Sequence, residues 1–93
     1  MRITHRQLEA FVQFMETGTV TAAADRLFVS QPAMSKMLAG LEIDLALTLF
    51  LREKKRLVPT DEAQLLYKEV RRLFGSLADV ERFAQDLREF RMG

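Results

Sequence analysis

The 93-residue chain has no cysteine, one histidine, two prolines and four glycines. Without cysteine there can be no disulfide and no thiolate metal site. His5 has no second histidine or cysteine with which to share a metal, so no metal or other cofactor is expected. The residues of enzyme chemistry are equally scarce. The serines have no general base beside them, there is no glycine-rich phosphate loop, and no carboxylate pair falls in an evident pocket, so the chain does not read as an enzyme. No apolar run approaches the ~18 residues that a membrane span needs. The first residues are charged and already periodic, unlike a signal peptide. These absences point to a cytoplasmic protein with no membrane partner.

What is present is apolar and evenly charged. Hydrophobic residues make up 48% of the chain, enough for a small core. The length fits one domain, or one small domain with an appendage. The net charge is only +1, but its distribution is informative. Residues 1–60 carry eight Lys/Arg against six Asp/Glu, and residues 61–93 carry six against seven. Arg52, Lys54, Lys55 and Arg56 cluster, and a local basic patch steers nucleic acid more than total charge does. Taken alone, such a cluster reads first as a solvated loop tip.

The stretch from Thr21 to Glu42 organises the rest. It reads as two short helices joined by a tight turn at Val29 and Ser30. The second begins at Gln31 or Pro32 and repeats apolar residues at Met34, Met37, Leu38 and Leu41, one face of a helix. Its other face presents Gln31, Pro32, Ser35, Lys36 and Ala39. A helix-turn-helix reader of the DNA major groove needs this division between core and outer side. Ser30 is a good N-cap, and Pro32 sits in the first turn, where a missing N–H costs little. Gln31 can pair with adenine, and Lys36 can donate to guanine or a phosphate. Two packed amphipathic helices also occur in many helical proteins that bind no DNA.

Before this unit, Thr4 and Gln7 suggest a capping box opening a first helix with an apolar stripe at Leu8, Phe11, Val12 and Met15, and Phe14 to one side. That helix ends near Thr17-Gly18. Either Thr19 or Thr21 can cap the next. Gly40, inside the second helix of the pair, either permits a close approach or is simply tolerated. After it, two short apolar runs, Thr48 to Arg52 and Leu57 to Thr60, flank the charged tip Glu53 to Arg56 and read as a small β-hairpin. Beside a helix-turn-helix such a hairpin is a wing.

Thr60 can cap a last helix, with Asp61 and Glu62 favourable to its dipole. Ala63, Leu66, Val70, Leu73, Leu77, Val80, Ala84 and Leu87 form an unbroken heptad seam to about Phe90, widened by Tyr67, Phe74, Phe83 and Phe90. A helix of roughly 28 residues would run ~40 Å, too long for the small domain to cover. Its first two turns, near Ala63, Leu66 and Tyr67, fit packing on their own domain. The remainder calls for a partner, most simply a second copy. Gly75-Ser76 is a mild weak point in this helix.

The ordered string Ala23, Ala24, Leu27, Val29, Ser30, Gln31, Pro32, Ala33, Ser35, Lys36, Leu41, Glu42, Leu49, Phe50 and Arg52 resembles the DNA-binding domain of LysR-type transcriptional regulators, and the likeness extends over essentially the whole chain. The resemblance implies a mainly α fold: a winged helix-turn-helix with a two-stranded wing and a long C-terminal dimerisation (linker) helix. It divides the chain into a DNA-binding domain at 1–60 and a linker helix at 61–93, the latter forming an antiparallel pair in a homodimer. It places Ser30, Gln31, Pro32, Ser35 and Lys36 on the recognition helix, Thr19 and Thr21 against the DNA backbone, and Arg52, Lys54 and Lys55 in the wing. Dimerisation would fall on Val70, Leu73, Phe74, Leu77, Val80, Phe83, Ala84 and Leu87.

Three departures from the family pattern stand out. Ala39 and Gly40 replace longer polar residues, Ala46 takes the place of a glycine, and so does Gln64. The end of the chain, Leu87 to Gly93, resembles the junction to an effector-binding domain that the chain lacks, and is most like relatives responding to amino acids or their derivatives. A small-molecule effector would act only through that domain. The expected function is sequence-specific binding of double-stranded DNA, on an interrupted inverted repeat, for transcriptional regulation. The rival reading is a helical dimerisation module whose basic hairpin only solubilises.

Overall fold

A computed structural model describes residues 2–75 and 77–92. Five helices and one hairpin follow in the order α1 (His5–Thr17), α2 (Val20–Leu27), α3 (Gln31–Leu45), β1 (Phe50–Glu53), β2 (Arg56–Pro59), α4 (Asp61–Phe74) and α5 (Leu77–Met92). The mainly α winged architecture expected from the sequence is present.

Local chemistry sets the boundaries. Thr4 Oγ1 accepts from the Gln7 amide at 3.0 Å while Gln7 Oε1 accepts from the Thr4 amide at 2.8 Å, a complete capping box. Gly18, at φ 86°, closes α1 in the left-handed region that glycine enters without strain. Of the two threonines that could open α2, Thr19 does so, its Oγ1 accepting from the Ala22 amide at 3.1 Å. Ser30 caps α3 through the Ala33 amide at 3.2 Å, with Pro32 in the first turn. α3 ends at Ala46, which is held at φ 55° where a glycine would be unstrained.

The core gathers Ala10, Phe11 and Phe14 from α1, Ala23 and Ala24 from α2, Met34, Leu38 and Leu41 from α3, Leu49 and Phe50 at the wing, and Ala63 from α4. Phe14 meets Phe50 edge-on at 5.0 Å between ring centres. The α1 stripe is therefore centred differently from the sequence reading: Phe14 is at its middle, Leu8 and Met15 are marginal, and Val12 lies outside the core cluster. α2, α3 and α4 all pack on α1, so its buried arc is wide and centres on the bulkiest rings.

The larger correction concerns the C-terminal helix. It is not continuous: Gly75, at φ 65° and ψ −159°, separates α4 from α5. That combination is essentially open to glycine alone. Ala63 and Val70 of α4 are buried, and Leu66 and Tyr67 are half-buried against the core. Every described side chain of α5 is exposed.

Candidate nucleic-acid interface

The recognition surface follows from how α3 is seated. Met34, Leu38 and Leu41 are buried, which turns Gln31, Pro32, Ser35, Lys36 and Ala39 outward, all exposed. The paired alanines of α2 have no bulk to hold α3 away. At Gly40, a Cβ would stand 3.1 Å from Gln7 Nε2, so the missing side chain permits a close approach of α1. The same Gln7 nitrogen donates to Asp44 Oδ2 at 3.0 Å, tying the start of α1 to the end of α3.

The wing is fixed to α3 by a residue whose role the sequence reading missed. Glu42 Oε2 accepts from the Leu49 amide at 2.9 Å and from the Phe50 amide at 3.0 Å. Thr60 closes the other strand, its hydroxyl donating to the Thr48 carbonyl at 2.7 Å and its amide to the Leu49 carbonyl at 2.9 Å. Glu42 stood in the sequence string that carries the resemblance, and abuts the buried face at Leu41, but neither signal named its bond to the wing. In the hairpin, Phe50 pairs with Pro59, Arg52 with Leu57 and Glu53 with Arg56. Side chains alternate along a strand, so the face that buries Phe50 also carries Arg52. The turn contains only Lys54 (φ 48°) and Lys55 (φ 65°); Glu53 and Arg56 of the expected four-residue tip belong to the strands.

These elements converge on a cleft of about 340 Å³ lined by Thr19, Thr21, Gln31, Ser35, Arg52 and Lys55. Six of the candidate residues thus meet in one place, from the starts of α2 and α3 and from the wing. Arg56, noted only as part of the charge cluster, also lines it. Ser30, Pro32 and Lys36 are exposed but do not line the cleft, and Lys54 lines an adjoining hollow with Glu53 and Val58 instead.

Charge is distributed unevenly. Arg6, Arg26, Arg72 and Arg82 each pair with a carboxylate at 4 Å or less. Among the described residues, Lys36, Arg52, Lys54, Lys55 and Arg56 form no ion pair, and of these Arg52, Lys55 and Arg56 line the cleft; Arg2, Lys68, Arg88 and Arg91, also in no ion pair, do not. Elsewhere, Arg71 donates to the Tyr67 hydroxyl at 3.1 Å, and that bond raises its pKa above the ordinary value; the Glu69 carboxylate does the same for Arg72.

The dimerisation candidates divide. Val70 is buried within the chain at 7% exposure, whereas Leu73, Val80, Phe83, Ala84 and Leu87 are exposed. The side chains of Phe74 and Leu77, and Ser76 altogether, lie outside the described residues. No described helix is long and apolar enough to cross a membrane.

Residues 5–64 match the family described as bacterial regulatory helix-turn-helix protein, lysR family. Regulatory protein NocR of Agrobacterium tumefaciens (strain T37) is 42% identical over 91 residues, 98% of this chain and 30% of NocR. The octopine catabolism/uptake operon regulatory protein OccR of Rhizobium meliloti is 42% identical over 82 residues, 88% of this chain and 28% of OccR. The chain therefore spans less than a third of these relatives. Among solved structures, the BenM DNA-binding domain in complex with catB site 1 DNA is similar with a TM-score of 0.74 and 27% identity, over 98% of this chain and 99% of that one.

Proposed function

The chain belongs to the lysR family of bacterial regulatory helix-turn-helix proteins and is a DNA-binding domain of a transcription regulator, not an enzyme; from that premise we propose how it reads DNA. α3 enters the major groove. Gln31 and Ser35 approach base edges, Lys36 contacts a base or the adjacent phosphate, and Ser30 and Pro32 bring the helix start against the duplex. Thr19 and Thr21 meet the backbone, with the first amides of α2 behind them. Arg52 reaches the phosphates or a narrow A·T-rich minor groove, while Lys54 and Lys55 follow the strand. The observation that carries this reading is the convergence of Thr19, Thr21, Gln31, Ser35, Arg52 and Lys55 on one cleft, beside wing cations that form no ion pair.

The protein works in the cytoplasm as a homodimer on an interrupted inverted repeat, through the exposed face of Leu73, Val80, Phe83, Ala84 and Leu87, joined by Phe74 and Leu77. Val70 contributes indirectly, by seating α4. Residues 1–60 read DNA and residues 61–93 link and dimerise. In a longer protein of the relatives' size, a further domain would bind an amino acid or derivative; OccR, named for the catabolism of the amino-acid derivative octopine, supports that class.

Selection from a random duplex library at ~0.15 M salt tests the reading. An enriched interrupted inverted repeat, bound ~10³-fold or more above a scrambled copy, is expected. Lys36→Ala should weaken that binding by ~1–3 kcal/mol with the fold intact. Equal, salt-sensitive binding to both duplexes would reduce the protein to a non-specific phosphate binder, and no binding by a folded dimer would leave only the dimerisation module.

A further inference from the structure

One polar chain crosses three helices away from the DNA-facing cleft. Glu16, in the last turn of α1, divides its carboxylate: Oε1 faces Arg26 Nη1 of α2 at 3.2 Å, and Oε2 accepts from the Tyr67 hydroxyl of α4 at 3.4 Å. Arg26 also donates to Gln13 Oε1 at 3.1 Å. Arg71, one turn beyond Tyr67, donates to the same hydroxyl at 3.1 Å and holds its guanidinium 5.7 Å from the centre of the tyrosine ring. The ring itself stands edge-on to Phe11 at 6.4 Å.

We propose that Glu16, Tyr67 and Arg71 are positioning residues that set the angle of α4 on the DNA-reading unit and so the spacing of half-sites the dimer accepts. Three observations carry this. The apolar seat of α4 consists of Ala63, Leu66 and Val70 with the Tyr67 ring, and apolar contact is non-directional. The hydrogen bonds of Glu16, Tyr67 and Arg71 are directional and tie α4 to α1 at a point where α1 also holds α2, the helix that backs α3. Finally, the exposed Leu73 of the dimerising face lies on α4 itself, and the chain continues from α4 into α5, so a rotation at this joint moves that face. An arm of 14 residues is about 21 Å long. A swing of ~10° at its base moves its far end by ~3.7 Å, close to the 3.4 Å rise of one base-pair step.

The inference rests on the homodimer reading, and one experiment separates the two. Intact wild type, Tyr67→Phe, Glu16→Gln and the double variant are each put through random-duplex selection, and the enriched half-site and the distribution of half-site separations are scored independently. Tyr67→Phe keeps the ring against Phe11, and thermal melting of each variant verifies the fold. We expect the same half-site from all four proteins. Wild type should show one separation, while the variants spread over neighbouring separations and bind the wild-type spacing about three- to fivefold more weakly, the size expected for a surface polar network. A wild-type protein with one sharp separation and variants equally sharp would overturn the positioning role alone. A wild-type protein that enriches single half-sites, with no fixed separation, would overturn the homodimer and the positioning role with it.

Discussion

The two ends of this molecule are helical by the same local rules but differ in what holds them. From Thr4 to Val70 every helix has a buried face, and five elements share one cluster around Phe11, Phe14, Met34, Leu38 and Leu41. From Leu77 to Met92 no described side chain is buried. α5 has acceptable helix formers and local pairs such as Arg82 with Asp79 at 2.9 Å, yet isolated helices of about this length are marginal in water. The N-terminal part is thus specified by its own packing, whereas α5 has an apolar row, Val80, Phe83, Leu87 and Phe90, that lies exposed.

That contrast can be broken at four points. Phe14→Ala empties the centre of the cluster and should cost ~3–5 kcal/mol, measured by urea denaturation of the intact chain; a loss under 1 kcal/mol would mean the core is not one unit. Glu42→Ala leaves two wing amides without their acceptor and should cost ~1–3 kcal/mol. An unchanged melting curve would show that the hairpin is held by Leu49 and Phe50 alone. Ala46→Gly relieves the left-handed alanine at the end of α3 and should stabilise by ~0.5–1 kcal/mol, reduced by the added freedom of the unfolded chain. Phe83→Ala should leave unfolding of the monomer within ~0.5 kcal/mol, as for any exposed position, while weakening self-association in sedimentation. If it destabilised the monomer as much as Phe14→Ala does, α5 would belong to the core after all.

Much of the N-terminal part was legible in the sequence because its signals are local. Thr4 with Gln7, Ser30 before Pro32, and Gly18 each name a helix end through a hydrogen bond or a backbone region that few residues supply. The outward set Gln31, Ser35 and Lys36 followed from the inward set Met34, Leu38 and Leu41. What escaped was non-local. Glu42 bonds to amides seven and eight positions on, which periodicity cannot show. The centring of α1 on Phe14 depends on three helices arriving from different directions. Val70 has the right heptad position for a dimer seam but is covered by its own domain. The seam also counted through Gly75, because heptad spacing registers side chains and is blind to a backbone turn between them.

The two lysines at the wing tip have a further consequence. In a two-residue turn with both φ values positive, Asn-Gly is the favoured pair, and Lys54 and Lys55 occupy that geometry at φ 48° and 65°. A long side chain there loses conformational ease and gains reach. The hairpin is therefore less stable than its length allows, in exchange for two charges at the farthest point the backbone can present. On the proposed reading, such a tip gives up hairpin stability for reach toward the phosphate backbone. Replacing the pair with Asn-Gly would yield a better hairpin, and, on the proposed reading, a poorer wing, so an engineer seeking a more heat-resistant version of this domain would meet a conflict between stability and DNA contact at this turn.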